Sequence, residues 1–89
     1  MSKKFKRSMN VEVMETEQEW LILNAEQYTV TKLNEVGGLC WTLLKEPQTA
    51  DSLALELQKH YDITAQEAVQ DVTTFLTHLD QLGLIEDAS

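Results

Sequence analysis

TAQEAVQDVTTFLTHLDQLGLI, residues 64–85, is the longest periodic stretch of the chain, and the remainder reads as what packs against it. Its apolar side chains at Ala68, Val72, Phe75, Leu79 and Leu82 alternate steps of four and three, which gathers them on one side of a helix. Val69 and Leu76 widen the stripe on one flank. Thr64 predicts the N-cap, with Glu67 completing a capping box. Gly83 predicts the left-handed residue that ends the helix, with Leu84 and Ile85 folding back as a hydrophobic closure. At roughly 1.5 Å per residue, Ala65 to Leu82 spans about 27 Å. A helix this long and this one-sided needs a wall to lie against.

The upstream sequence supplies one. Val11 and Val13 alternate with Asn10 and Glu12, predicting a short half-buried strand over Asn10–Met14. Glu15 to Glu19 reads as a turn. Trp20–Leu23 is continuously apolar, as a central or doubly covered strand would be, and Asn24-Ala25-Glu26 makes the next turn. Gln27–Leu33 is rich in β-branched and aromatic residues, with Tyr28 and Val30 on one face and Thr29 and Thr31 on the other. Three short strands with tight connections predict an antiparallel meander. Asn34 then caps a helix that starts at Glu35, turns Val36, Leu39, Cys40, Leu43 and Leu44 inward and stops before Pro47. Gly37 and Gly38 inside it predict close approach of that helix to the sheet. Thr49 caps a second helix presenting Leu53, Leu55 and Leu57, which ends near Tyr61-Asp62 and is followed almost at once by the last helix. The expected class is α+β, winged-helix-like: a three-stranded antiparallel meander followed by three helices, the last two spaced as a helix-turn-helix.

At 89 residues the chain is one domain, since a smaller piece would bury too little surface to stay folded alone. Residues 10–86 are expected to form it, behind a basic, disordered N-terminal arm at residues 1–9 that carries Lys3, Lys4, Lys6 and Arg7. Beyond Arg7 the chain holds 3 basic and 15 acidic side chains, a formal balance of −12, so the folded part repels polyanions. The single cysteine, Cys40, excludes an internal disulfide, and no clustered His/Cys spacing suggests a metal. No apolar run is long enough to span a membrane, nor does the N-terminus carry the apolar core of a signal peptide, so a cytoplasmic address is expected.

Catalysis would need a nucleophile or metal ligands held near a base. Cys40 lies on the inner side of a helix between Leu39 and Trp41, where cysteine behaves as a small hydrophobe. His60 and His78 fall on different helices, and Glu56, Asp71 and Asp80 are scattered as solvated surface charge. No catalytic constellation results, and none that would hold a cofactor. A winged-helix DNA binder would use Ala65–Leu82 for recognition, yet that segment contains no Lys or Arg to neutralise phosphates or read guanine. What remains is shape. The third strand can stand at a sheet edge, blunted only by Lys32, beside the long helix. An extended peptide can add there as a further strand.

Leu33-Asn34-Glu35-Val36-Gly37 with Trp41 and Leu44, Thr49 with Leu53 and Leu57, Tyr61-Asp62, Glu67-Ala68, Asp71-Val72, Phe75-Leu76, Leu79 and Gly83-Leu84-Ile85 together resemble the PqqD family. That family comprises the coenzyme-PQQ synthesis protein D and the related recognition elements for ribosomally made precursor peptides. The likeness runs from about Asn10 to Ile85. It implies a winged-helix-like domain that does not bind DNA but grips the leader of a precursor peptide as an added strand, between the third strand and the last helix. Such a domain hands the leader to a modifying enzyme or leader peptidase. Carried onto this sequence, the strand contacts are Tyr28, Thr29, Val30, Thr31 and Lys32. The helix contacts are Asp71, Phe75 and His78, with Val72 and Leu76 on the floor. The implied function is that of a stand-alone adaptor in PQQ-type or lasso-peptide biosynthesis, a monomer or weak dimer with no cofactor and no nucleic-acid or membrane partner. A self-associating structural subunit and a winged-helix nucleic-acid binder are the competing readings.

Overall fold

The computed structural model describes residues 3–17 and 19–88. Its frame is the meander formed by β2 (Val11–Glu15), β3 (Trp20–Asn24) and β4 (Thr29–Leu33), antiparallel throughout and in the order β2-β3-β4. Register pairs Ile22 with Val13 and Thr31, and Trp20 with Glu15 and Leu33, so these side chains share the inner face. Ile22 is fully buried there. Asn24 is the buried polar residue of the sheet, and its bonds explain why it is tolerated. Its Oδ1 accepts from the Glu26 and Gln27 amides at 3.0 and 3.3 Å, closing the turn into β4. Its Nδ2 donates to Leu82 O at 3.4 Å, tying that turn to the end of the last helix.

Helix α1 (Glu35–Leu43) starts where expected, with Asn34 Oδ1 accepting from the Gly37 amide at 2.8 Å. The close approach read from the glycines is real. The Trp20 indole occupies the space that a Cβ on Gly38 would need, so α1 lies directly on the inner face of β3. Helix α2 (Ala50–His60) carries a reciprocal capping box, the Ser52 amide donating to Thr49 Oγ1 and the Thr49 amide to Ser52 Oγ, both at 3.0 Å. It buries Leu53, Ala54 and Leu57. Leu55, expected inward, is 60% exposed: residues two apart lie on nearly opposite sides of a helix, and Ala54 takes the inner place.

Helix α3 (Ala65–Gln81) buries Ala68, Val72, Leu76 and Leu79. The core stripe thus runs through Leu76, with Phe75 half-buried on its flank, the reverse of the weighting that the sequence suggests. Thr64 Oγ1 accepts from the Glu67 amide at 3.1 Å. At the other end Gly83, at φ +72°, completes a Schellman closure. Its amide donates to Asp80 O at 3.1 Å, and the Leu84 amide to Leu79 O at 3.0 Å.

The expected disordered arm is a correction. Residues 1 and 2 lie outside the described residues, as does Gln18 of the predicted Glu15–Glu19 turn, but Lys4–Arg7 form a strand, β1. It is the centre of a second sheet, between β5 (Gln48–Thr49) and β6 (Ile85–Asp87), antiparallel to both. The cluster of charge hides an alternation. Lys4 and Lys6 point to solvent while Phe5 and Arg7 turn inward. Arg7 Nε and Nη2 both donate to Trp41 O, at 3.0 and 2.7 Å, and the guanidinium lies 4.8 Å from the centroid of the Trp41 ring. On the outer face Lys6 meets its register partner Glu86 at 3.5 Å, while Lys3, on the Phe5 side, reaches Asp87 at 3.9 Å.

Candidate functional site: an open strand edge beside the last helix

Strand β4 pairs with β3 on one side, and its other edge has no strand beside it among the described residues. In an antiparallel ladder alternate residues bond to the neighbour, so every second residue of β4 turns its N–H and C=O to the open side. A groove of about 570 Å³ lies at that edge, between the C-terminal half of β4 and the middle of α3. Val36 and Phe75, with the rim of Leu33, give its accessible apolar surface, and the buried Gly37, Cys40, Leu57 and Val72 lie behind them. Gly37 makes this closeness feasible: a Cβ there would lie 3.2 Å from Phe75 Cε1 and 3.3 Å from Leu33 Cβ. Lys32, Gln70, Asp71, Thr74 and His78 supply polar groups.

The expected contacts separate into those that line this groove and those that do not. Lys32, Asp71, Val72, Phe75 and His78 line it together. Leu76 does not. It is 4% exposed and borders the cleft on the opposite flank of α3, with Phe5 and Ala50. Thr29 and Thr31 sit in β4 with their side chains partly buried, while Val30 points the other way and is 64% exposed. Tyr28 is not in the strand at all. It occupies the preceding turn at φ 54°, with 93% of its surface exposed. Gln70 and Thr74, which the sequence reading passed over, belong to the same helical face as Asp71 and His78. The spacing 71, 74, 75, 78 would have shown Thr74 once that flank was chosen.

Charge is sparse around the groove. Lys32 Nζ is 2.9 Å from Glu19 Oε1, an exposed pair that contributes little energy but holds the lysine across the sheet. Asp71 and His78 stand seven residues apart, roughly 10 Å along the helix axis. Cys40 lies at the back of the groove, 1% exposed, and burial pushes its thiol up to about 11, which keeps it protonated and a poor nucleophile. Among the described residues no group of His, Cys, Asp and Glu is arranged to hold a metal ion, and no helix is long and apolar enough to cross a membrane. The arrangement suits one chemistry, capture of an extended backbone with one flank against apolar surface.

A family model described as coenzyme PQQ synthesis protein D (PqqD) matches residues 19–85, well over half of the chain. No curated protein matches. Two solved structures share the fold. One is a lasso peptide synthetase B1 complexed with the leader peptide, 20% identical with a TM-score of 0.82, the match covering 92% of this chain and 96% of that one. The other is TbiB1 in complex with the TbiA(beta) leader peptide, 25% identical with a TM-score of 0.84, covering 91% and 94%.

Proposed function

The chain belongs to the PqqD family, and from that footing we propose that it is an adaptor for the leader segment of a ribosomally made precursor peptide. The leader adds to β4 as a fourth strand, and side chains on its inner face enter the groove against α3. Backbone pairing supplies affinity that is largely indifferent to sequence, while the groove selects. In this reading alternate residues of the run Thr29, Val30, Thr31 and Lys32 supply the backbone groups of the ladder. Phe75, backed by the buried Val72, receives an apolar leader side chain, and Asp71 and His78 contact polar groups to either side. The protein performs no chemistry of its own and presents the leader to a modifying enzyme or leader peptidase, in lasso-peptide or PQQ-type biosynthesis.

The observation that carries this reading is the unpaired β4 edge with a groove beside it. The TbiB1 complex, which is 25% identical, contains a leader peptide, and that supports it. A helix α3 without Lys or Arg speaks against the nucleic-acid alternative. The formal charge of −8 further favours leaders that carry Lys or Arg. The test is calorimetric titration with synthetic peptides covering the N-terminal halves of candidate precursors. Binding by one of them, weakened about tenfold by Phe75→Ala and reduced by added salt, is the expected result. Leader binding that Phe75→Ala leaves intact would exclude this groove.

A further inference from the structure

The groove is longer than the strand that borders it. Asn24, the register partner of Thr29, donates from Nδ2 to Leu82 O at 3.4 Å, which sets the head of β4 beside the C-terminal end of α3. At the other end of the strand Leu33 meets Gly37, and Gly37 in turn lies against Phe75. Strand and helix therefore run in opposite directions, and β4 stops level with Phe75. The groove continues past that point over Val36, in the first turn of α1, with Gln70 and Asp71 on its α3 side. A peptide longer than the five-residue ladder runs on into this extension. Spacing decides which of its residues arrives there. Asp71 and Phe75 share a helical flank and lie about 6 Å apart along α3. An extended chain covers about 6.6 Å in two residues, and those two side chains point the same way. The leader residue two places from the one that meets Phe75 thus reaches Asp71.

Charge says what that residue is. Asp71 is exposed, and among the described residues its carboxylate forms no ion pair. Helix α3 contains no Lys or Arg to neutralise it. Lys32 is the cation on the β4 side of the groove, but its register opposite Leu21 turns it to the outer face of the sheet, where Glu19 holds its Nζ at 2.9 Å. A second exposed carboxylate, Glu35, stands between the groove residues Asn34 and Val36. We propose that the extension is a subsite for one basic side chain: the leader carries an apolar residue against Phe75 and a Lys or Arg two residues from it, on the side where β4 ends. The aliphatic stem of that residue lies along Val36 and the Phe75 ring while its charge meets Asp71. The proposal rests on the adaptor reading and narrows its substrate. The acidity of the whole chain attracts any cation, whereas this geometry favours one at a fixed spacing.

The experiment titrates the full chain, by fluorescence anisotropy, with the tightest-binding peptide of the synthetic leader set and with single Ala, Glu and Lys replacements along it. Asp71→Asn should weaken binding about fivefold. Asp80→Asn removes the same charge from the opposite flank of α3 and should change binding less than about twofold. One basic position of the peptide should be as sensitive as Asp71, and it should lie two residues from the apolar position whose truncation has no further effect in Phe75→Ala. Asp71→Lys should bind the peptide with Glu at that basic position at least about fivefold more tightly than it binds the unchanged peptide. Equal losses in Asp71→Asn and Asp80→Asn would reduce the effect to net charge and overturn the proposal. So would a tightest binder with no Lys or Arg at that spacing, or charge reversal that fails to restore binding. In each of those cases a leader still weakened by Phe75→Ala keeps the adaptor reading standing. Binding by none of the peptides, or binding indifferent to Phe75→Ala, removes that reading and this subsite with it.

Discussion

Replacing Arg7 by methionine should cost the fold about 2–3 kcal/mol, although a residue so near the N-terminus, in a run of lysines, would ordinarily be dispensable. Its guanidinium donates twice to one carbonyl, Trp41 O, near the end of α1, where backbone acceptors lack partners, and it lies on the Trp41 ring. Hydrogen bonds from a charged donor contribute about 1.5–3 kcal/mol net, and a partly desolvated cation–π contact roughly 0.5–2. These overlap, because the same group makes both. Trp41 O also accepts from the Leu44 amide at 3.2 Å, so the carbonyl keeps a donor and the loss is bounded. With each kcal/mol worth about 4–8 °C in a domain of this size, the thermal midpoint should fall by roughly 10–20 °C. Lys6→Ala is the control. Its ion pair with Glu86, at 3.5 Å between half-exposed side chains, is worth less than about 1 kcal/mol. Thermal unfolding followed by far-UV circular dichroism reads both. An Arg7→Met midpoint within about 3 °C of wild type would show that β1 and its contact with Trp41 do not stabilise the domain.

Gly38→Ala forces a Cβ into the Trp20 indole. The helix-propensity gain of about 0.5–1 kcal/mol is smaller than the roughly 1–3 kcal/mol of overpacking, so the urea midpoint should drop; an unchanged or raised midpoint would show that α1 is not pressed on β3. Burial raises Cys40 from 9.0 to about 11, so the unfolded chain loses that proton first and stability should decline as pH rises from 9.0 towards 11. Cys40→Ala should lack that decline, and parallel pH–stability curves for the two proteins would refute a buried neutral thiol. Of the adjacent β4 amides of Val30 and Thr31, one faces β3 and one faces the open edge. Of Val30→Pro and Thr31→Pro, one should therefore unfold the sheet, while the other keeps its circular dichroism and loses leader binding. Two folded variants that both bind the leader would argue against strand addition.

The meander, the three helices and their caps were legible because each rests on local chemistry that a single sequence displays. Asn34, Thr49 and Thr64 hold helix starts, Gly83 ends α3, and Gly38 marks where α1 meets the sheet. What was not legible depended on distant partners. Lys4–Arg7 reads as a charge run until Gln48–Thr49 and Ile85–Asp87 are seen on either side of it, and the inward turn of Arg7 becomes apparent only against Trp41. Leu55 was misplaced by taking steps of two as a buried pattern, which suits strands and not helices. The groove was partly foreseeable. Asp71, Phe75 and His78 share one helical flank, but which side Leu76 would take depended on β1, which covers the other flank through Phe5. Tyr28 looked like strand because aromatic residues favour strands, whereas the Asx turn made by Asn24 delays β4 until Thr29.

Amide hydrogen exchange across β4, with and without bound leader, interrogates the open edge itself. Alternate amides of the five in β4, about two or three, should gain at least tenfold protection on binding, while those already bonded to β3 and those of β2 change little. A leader that binds tightly yet leaves every β4 amide exchanging as in the free protein would mean that the peptide is held elsewhere, and that this edge is not where strands are added.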